Sequence, residues 1–500
     1  MLNTDITKFM SLFPGEGLTF DDVSLYARYS DFQPAEASVR SEFSRNISLH
    51  IPFVSAAMDT VTESQMAIAM ALQGGIGVIH KNLTPDRQAE EARRVKSYLN
   101  GLIENPVVFD ESLPVAELLA ARERHHYSFS GFPIVHADGT LAGILTARDL
   151  KFVSDFDVPV REIMTSKVVT GPVGTTLDQA YEIMSHNRVG KLPIVDEKGH
   201  LSGLYSFHDV KSLSTNNEPN INRDAHHKLR VAAAMGPYDY ERAEKLIAVG
   251  VDALVLDTAH GHSKGVLETL KELKNRYQVD VVAGNVADGE GARALVDAGA
   301  DAVKVGIGPG SICTTRMVCG VGIPQLTALY DVAKTIGKEV PIIGDGGIKY
   351  SGDVPKGLAV GASCVMMGSV LAGTQESPGE KIIHHGRTFV VYRGMGSVEA
   401  MKSGKGSRER YGHDDVEDSS KLVPQGIEGL VPFRGSVDMV LTQFAGGLRF
   451  SLGYCGARNI TEMRERARFV RVSMAGLAEA HAHDVKVIKD APNYSTADGN

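Results

Sequence analysis

A short unit recurs along this chain: a glycine, a run of four to six mostly apolar residues, then a polar loop. Gly250-Val-Asp-Ala-Leu-Val-Leu-Asp257, Gly299-Ala-Asp-Ala-Val-Lys-Val-Gly306 and Gly361-Ala-Ser-Cys-Val-Met-Met-Gly368 are three instances. Apolar runs without alternation suit strands buried on both faces, as in a parallel sheet. The leading glycine suits a helix C-cap that turns into the strand. About eight such runs occur, at 52–57, 76–79, 230–234, 253–257, 279–283, 302–306, 341–345 and 363–367. Amphipathic helical segments, such as 240–249, 264–276 and 288–298, lie between the later ones. Eight β-α units predict an α/β fold, a TIM (β/α)8 barrel. An open doubly wound sheet is the alternative.

The gap between the second and third runs is too long for one β-α connection, and it contains a second self-similarity. Residues 131–150 line up with 191–210, with seven identities that include Pro133/Pro193, Gly139/Gly199, Gly143/Gly203 and Asp149/Asp209. The pattern reads as a hairpin and helix start, duplicated in tandem. It resembles a pair of CBS modules (a Bateman domain) inserted in the barrel. The expected domains are therefore 1–96, the first part of the barrel; 97–215, the insertion; and 216–500, the rest of the barrel. In the CBS family a Ser/Thr-x-x-Asp element often holds the ribose of an adenine or guanine nucleotide, and Thr146/Asp149 and Ser206/Asp209 match it. These residues equally suit N-caps of the helices that follow.

Composition narrows the class. Apolar content of 43% and charged content of 23% are those of a globular protein, and 500 residues exceed one ordinary core. A net charge of −9 leaves no basic footprint for nucleic acid. The four cysteines, at 313, 319, 364 and 455, form neither a disulfide framework nor a CxxC zinc pattern, which fits a reducing cytoplasm. No signal-peptide pattern opens the chain, and no apolar run is long enough to span a membrane.

Barrel enzymes carry their chemistry after the C-terminal ends of the strands. There the sequence places Ser55-Ala-Ala-Met58, Asp257-Thr-Ala-His260, Gly284-Asn285, Gly308-Pro-Gly-Ser-Ile-Cys-Thr-Thr315, Asp345-Gly-Gly347 and Gly368-Ser369. The last two pairs follow strands seven and eight, the usual position for a phosphate held on backbone N–H groups. Cys313, in a Gly/Pro/Ser loop at that end, is a candidate nucleophile. Buried filler is the other reading of a lone cysteine, and it is the one that suits Cys364.

The stretch Gly306-Ile-Gly-Pro-Gly-Ser-Ile-Cys-Thr-Thr-Arg316, followed by Gly320-Val-Gly-Ile-Pro-Gln325, resembles the cysteine loop shared by IMP dehydrogenases and GMP reductases. Leu18-Thr-Phe-Asp-Asp22, Asp257-Thr-Ala-His-Gly-His-Ser263, Tyr392-Arg-Gly-Met-Gly-Ser397 and Gly453-Tyr-Cys-Gly456 match the same family, so the resemblance spans nearly the whole chain.

The resemblance implies oxidation of IMP to XMP with NAD+, the committed step of guanine nucleotide synthesis. Cys313 would add to C2 of the purine, with Thr315 beside it among the catalytic residues. A mobile flap, about 398–430, would bring Arg410-Tyr411 to activate the hydrolytic water. Ser55, Met58, Ser311, Asp345, Gly347, Gly368, Ser369, Tyr392, Gly394, Met395, Gly396 and Gln425 would hold IMP. Asp257, Asn285, Gly306 and Gly308 would contact NAD. A monovalent cation, K+, would sit on carbonyls of Gly308, Gly310 and Cys313, joined by Glu479, Ala480 and His481 of a neighbouring subunit. That shared site implies a homotetramer or a larger assembly such as an octamer.

Two rivals remain at the level of sequence. A GMP reductase shares the barrel and the cysteine but lacks a hydrolytic Arg-Tyr pair and uses NADPH. A nucleotide sensor would keep the CBS pair beside an inactive barrel. The chain departs from the family pattern at 22–29, at 287–290, and at Gln425, where many bacterial members have Glu. The second CBS copy departs too, ending in Ser206-Phe-His-Asp209 before a His- and Asn-rich segment.

Overall fold

The computed structural model describes residues 3–98, 102–103, 106–124, 131–151, 153, 155–215, 220–412, 421–485 and 493–494. All eight apolar runs form strands, and they close into one barrel. In chain order these are β1 (Phe53–Ser55), β2 (Ile76–Ile79), β3 (Val231–Met235), β4 (Ala253–Asp257), β5 (Asp280–Val286), β6 (Ala302–Val305), β7 (Ile342–Asp345) and β8 (Cys364–Met367). Every neighbouring pair is parallel, and Val365 on β8 pairs with Phe53 on β1 to shut the ring. Closure removes both sheet edges, so the open-sheet alternative falls.

The burial pattern explains why the runs lack polar alternation. One face of each strand fills the lumen: Val54, Val78, Ala232, Ala234, Val255, Val282, Ile343 and Met366 form one buried cluster. The other face packs under the surrounding helices. The lumen is plugged from one end by a hairpin, Ser41–Ser44 with Ile47–Leu49, which inserts Phe43, Ile47 and Leu49 into that same cluster. Helices cover the outside at Tyr240–Ala248, Lys264–Arg276 and Gly289–Asp297, within a residue of the expected segments. The glycines before β4 and β6 take positive φ, +83° at Gly250 and +102° at Gly299. A side chain there would be strained, which is why the helix-to-strand turn selects glycine.

The first run is shorter than expected. Residues 56–58 leave the strand after Ser55, and the Ala56 N–H donates to the Met367 carbonyl at 3.1 Å.

The chain separates into two compact units, Met1–Lys96 with Asn220–Asn500, and Ser97–Pro219. The second unit carries the duplication in its backbone. Hairpins Gly131–Val135/Leu141–Thr146 and Lys191–Val195/Leu201–Ser206 share one register, Pro133 opposite Ile144 and Pro193 opposite Leu204. Both have the register shift at the same place, after Ile134 and after Ile194. A helix follows each hairpin, at Ala147–Leu150 and Phe207–Thr215.

Candidate active site

Two adjoining cavities open at the C-terminal ends of the barrel strands. The outer one, about 230 Å³, is lined by Met58, Ser311, Asp345, Gly347, Gly368, Ser369 and Tyr392 among others. The inner one, about 110 Å³, adds Asp257, Asn285, Gly306, Gly308, Gly310, Cys313, Gly394, Met395, Arg410, Tyr411 and Gln425. Residues scattered over more than 350 positions of sequence thus meet around one thiol.

Cys313 is half-buried, and its Sγ lies 3.1 Å from the Thr315 hydroxyl. The cysteine loop is clamped from the far side by residues 425–427. The Thr314 N–H donates to the Gln425 carbonyl at 2.9 Å, and the Ile427 N–H donates to the Ile312 carbonyl at 3.0 Å. Arg316 ties the loop to its own flanks, donating to the carbonyls of Ile307 (2.9 Å) and Ile323 (2.5 Å). Partial burial pushes this guanidinium down, while negative charge at Cys313 pulls it up.

In the outer cavity Gly346 and Gly347 take φ of +87° and +83°, a turn closed to ordinary side chains. A Cβ at Gly368 would lie 2.8 Å from the Tyr392 hydroxyl, so glycine there keeps the cavity floor open. Backbone N–H groups in such loops, together with Ser369 and Ser311, make a cradle for an anion. Burial pushes the Tyr392 hydroxyl well above its usual range, partly offset by its hydrogen bond with Ser311. It stays a neutral donor at physiological pH.

The inner cavity rests on a buried network that the sequence reading missed. Lys304, in the middle of β6 and 1% exposed, donates to Asp257 Oδ1 at 2.8 Å, to Asp345 Oδ2 at 2.8 Å and to the Asn285 carboxamide oxygen. Asn285 also donates to Asp345 Oδ2 at 2.8 Å and to the Gly306 carbonyl at 2.7 Å. The other carboxylate oxygen of Asp257 forms an ion pair with Arg410. One lysine thereby couples Asp345, expected to hold IMP, to Asp257, expected to contact NAD. Its signal was present: Lys304 is the lone charge inside an apolar run, and a lysine almost never goes fully buried unless paired.

Arg410-Tyr411 enters from two short helices, α1 (Val398–Ser403) and α2 (Lys405–Arg410). Tyr411 packs flat against Gly396, where a Cβ would come within 2.7 Å of its ring. Gly396 is therefore a platform for Tyr411 and lines neither cavity. Burial raises the Tyr411 hydroxyl above its usual range and Arg410 pulls it back, so the group remains a phenol at neutral pH.

Other expected positions fall elsewhere. Ser55 is 0% exposed and accepts a hydrogen bond from Thr62 Oγ1 at 2.9 Å, turned away from both cavities. Its neighbour Ala56 lines them instead. Successive strand residues face opposite ways, so Ser55 packs in the barrel wall while Ala56 faces the cavities. Ala480 and His481 line a separate cavity of about 320 Å³ with Tyr350 and Tyr494, away from the cysteine loop of their own chain, and Glu479 precedes them at the end of helix Met474–Ala480. In the second unit, Asp149 accepts from the Thr146 hydroxyl (2.6 Å) and the Thr146 N–H (2.7 Å), a capping box. In the other copy Ser206 is buried, and burial raises the Asp209 carboxyl against the pull of Lys191.

Lys81, in the loop after β2, was also missed. Its ammonium is buried without a hydrogen-bond partner among the described residues, and its pKa falls to about 8, first through desolvation and then through Arg410, against the pull of Glu409. The folded pKa lies below the unfolded one, so between about pH 8 and 10 the unfolded chain binds more protons and stability rises with pH. Below about pH 8 the full penalty applies, about 3 kcal/mol. Lys81→Met is therefore expected to raise the urea midpoint at pH 7 and to flatten the rise towards about pH 9. A lower midpoint at pH 7 would show that the charge is compensated.

A family model described as IMP dehydrogenase / GMP reductase domain matches residues 17–483. Inosine-5′-monophosphate dehydrogenase of Aquifex aeolicus is 51% identical over 486 residues, covering 96% of this chain and 98% of its own. That of Bacillus subtilis is 49% identical over 494 residues, covering 97% and 99%. Among solved structures, a GMP reductase variant from Trypanosoma brucei in complex with guanosine 5′-monophosphate superposes with a TM-score of 0.86 at 37% identity, covering 95% of this chain and 100% of its own. With its barrel, its cysteine loop and these full-length matches, the chain belongs to the IMP dehydrogenase / GMP reductase family.

Proposed function

We propose that this protein is an oxidoreductase that converts IMP to XMP with NAD+ through a covalent bond to Cys313. The observation that carries the reading is Arg410-Tyr411 standing over the Cys313 cavity, with Arg410 ion-paired to Asp257. A reductive deaminase has no use for a hydrolytic pair at that point.

The outer cavity suits the nucleotide, with phosphate on the loops at 346–347 and 368–369 and the ribose diol on Asp345, whose carboxylate can accept from both hydroxyls. The Cys313 thiolate attacks C2 of the hypoxanthine, and the hydrogen at C2 departs with its electron pair as hydride. NAD+, when bound, supplies the acceptor for that hydride. Asp257, Asn285, Gly306 and Gly308 fit its nicotinamide end, being convergent polar groups and bare backbone beside the thiol. Each Asp257 oxygen has a cationic partner here, Lys304 and Arg410, so the carboxamide and Arg410 compete for the cavity-facing oxygen. The two halves of the reaction thus use one place in turn. In the second half water adds to C2 and the C–S bond breaks, releasing XMP and the thiolate. Arg410 and Tyr411 orient that water as donors, its second proton is released to solvent, and Thr315 stands next to the sulfur.

The carbonyls of Gly308, Gly310 and Cys313 would hold a monovalent cation such as K+, together with residues 479–481 of a neighbouring subunit in a homotetramer. Neutral backbone oxygens suit a weakly charged hard cation, although the Gly310 carbonyl already accepts the Cys313 N–H at 3.0 Å and would be shared. The duplicated unit is a Bateman domain comprising residues 97–215. Thr146/Asp149 serve as a cap, which leaves Ser206/Asp209 the better place for a nucleotide ribose. No helix among the described residues is long and apolar enough to cross a membrane, and a cytoplasmic enzyme fits the free cysteines.

The test offers the purified chain IMP with NAD+ and, separately, GMP with NADPH. NADH formed in the first and no NADPH consumed in the second is the expected result. The converse result would make the protein a GMP reductase.

A further inference from the structure

Asn82 follows Lys81 in the loop after β2, at the catalytic end of the barrel, and lines neither cavity. It is 8% exposed, and its side chain joins three separate elements. The carboxamide nitrogen donates to Asp59 Oδ2 (2.9 Å) in the loop after β1, and to the Ala400 carbonyl (3.1 Å) and Ser403 hydroxyl (3.2 Å) of α1. The oxygen accepts the Ser407 N–H of α2 at 3.1 Å.

That last bond is a helix cap supplied from outside the helix. The N-cap position of α2 is Gly404, which has no side chain to satisfy the first-turn N–H groups. The glycines at 404 and 406 allow the close approach: a Cβ at Gly404 would strike the Asn82 carboxamide, and one at Gly406 would strike the Lys81 carbonyl. Asp59 is fixed in turn by Arg393, at 2.7 Å, and Arg393 also donates to Ser403 at 2.9 Å. Arg410 sits one turn along α2 from Ser407, so the cap sets the direction in which Arg410-Tyr411 points.

We propose that Asn82 is a positioning residue for the hydrolytic half of the reaction: it docks α1 and α2 on the barrel rim and aims Arg410-Tyr411 at the Cys313 adduct. The assignment rests on the IMP-oxidising reading above. Asn82 makes no contact with the nucleotide cavity, so it has no part in the attack by Cys313 or in hydride loss.

The experiment uses the full chain with IMP and NAD+, and compares the rapid first turnover of NADH formation with steady-state kcat and with the fraction of Cys313 carrying purine, measured by acid quench and mass. Asn82→Ala is expected to keep the first-turnover rate within about twofold while kcat falls by about tenfold or more, the equivalent of one or two lost buried hydrogen bonds. The adduct fraction rises accordingly. Ser403→Ala, at an exposed position where folding is not at risk, is expected to give a smaller change with the same split. First-turnover rate and kcat falling together, or kcat per folded site staying at the wild-type value in both variants, would overturn the assignment. If the wild-type chain makes no NADH from IMP and NAD+, the reaction reading itself fails and this assignment with it.

Discussion

Replacing Cys313 with alanine is expected to reduce kcat by at least about 10⁴-fold while IMP binding stays within a few-fold of the parent. Among the described residues Cys313 is the one thiol lining either cavity, and the hydroxyls and charged groups beside it bind, orient or carry charge. Its removal leaves the nucleotide loops at 346–347 and 368–369 in place. The cysteine loop also survives, because its main ties run through the backbone of 312–314 and the Arg316 guanidinium, to which the sulfur adds one weak bond to the Gln425 carbonyl at 3.6 Å. Calorimetric titration with IMP and a continuous assay for NADH check the two halves separately. Activity above about one part in 10³ would mean that water attacks C2 directly and that no covalent intermediate is required.

Arg410→Ala is expected to act on the other half alone. The first turnover of NADH should persist, steady-state turnover should fall by about 10²–10³-fold, the usual worth of a donor aimed at the reacting atoms, and Cys313 should be trapped as its purine adduct. The fold should tolerate the change. Asp257 loses one cation but keeps Lys304 at 2.8 Å, so no buried carboxylate is stranded. With Arg410 gone, Asp257 is also open to the nicotinamide at all times, so the apparent affinity for NAD+ should rise. A variant that loses the first turnover in equal measure would show that Arg410 serves binding, not hydrolysis.

What could be read from the residues follows from how local each signal is. The barrel was legible because a strand buried on both faces writes its burial into four or five consecutive letters, as in Ala253–Asp257. The cysteine loop was legible because glycine, proline and a lone thiol in six positions are a local anomaly. The pairing of Asp257 with Arg410 was not, because it joins residues on opposite sides of the chain's path and leaves no periodic trace. Lys304 was hidden by its company, counted as part of an apolar run when it was the exception that should have been followed. Ser55 was placed in the site by motif, whereas its side chain is buried against Thr62 and the neighbouring Ala56 lines the cavities. The plug hairpin at 41–49 and the docking loop at 80–82 are short, and their work is visible only against what they touch.

The closure of the barrel has a consequence for how the protein is made. Val54 on β1 pairs with Met366 on β8, and between β2 and β3 lies an entire second unit. A ribosome adding about 5–20 residues per second needs roughly 15–60 s after finishing β1 to deliver its closing partner. Throughout that interval two very apolar strands stand with an unpaired edge, while the inserted unit, whose contacts are local, can fold at once. The first hundred residues are therefore the part of this chain most open to misassociation during synthesis, until residue 367 has emerged. Slow codons anywhere between the two strands, the insertion included, would lengthen that exposure and lower the soluble yield, whereas the same codons after residue 367 would not.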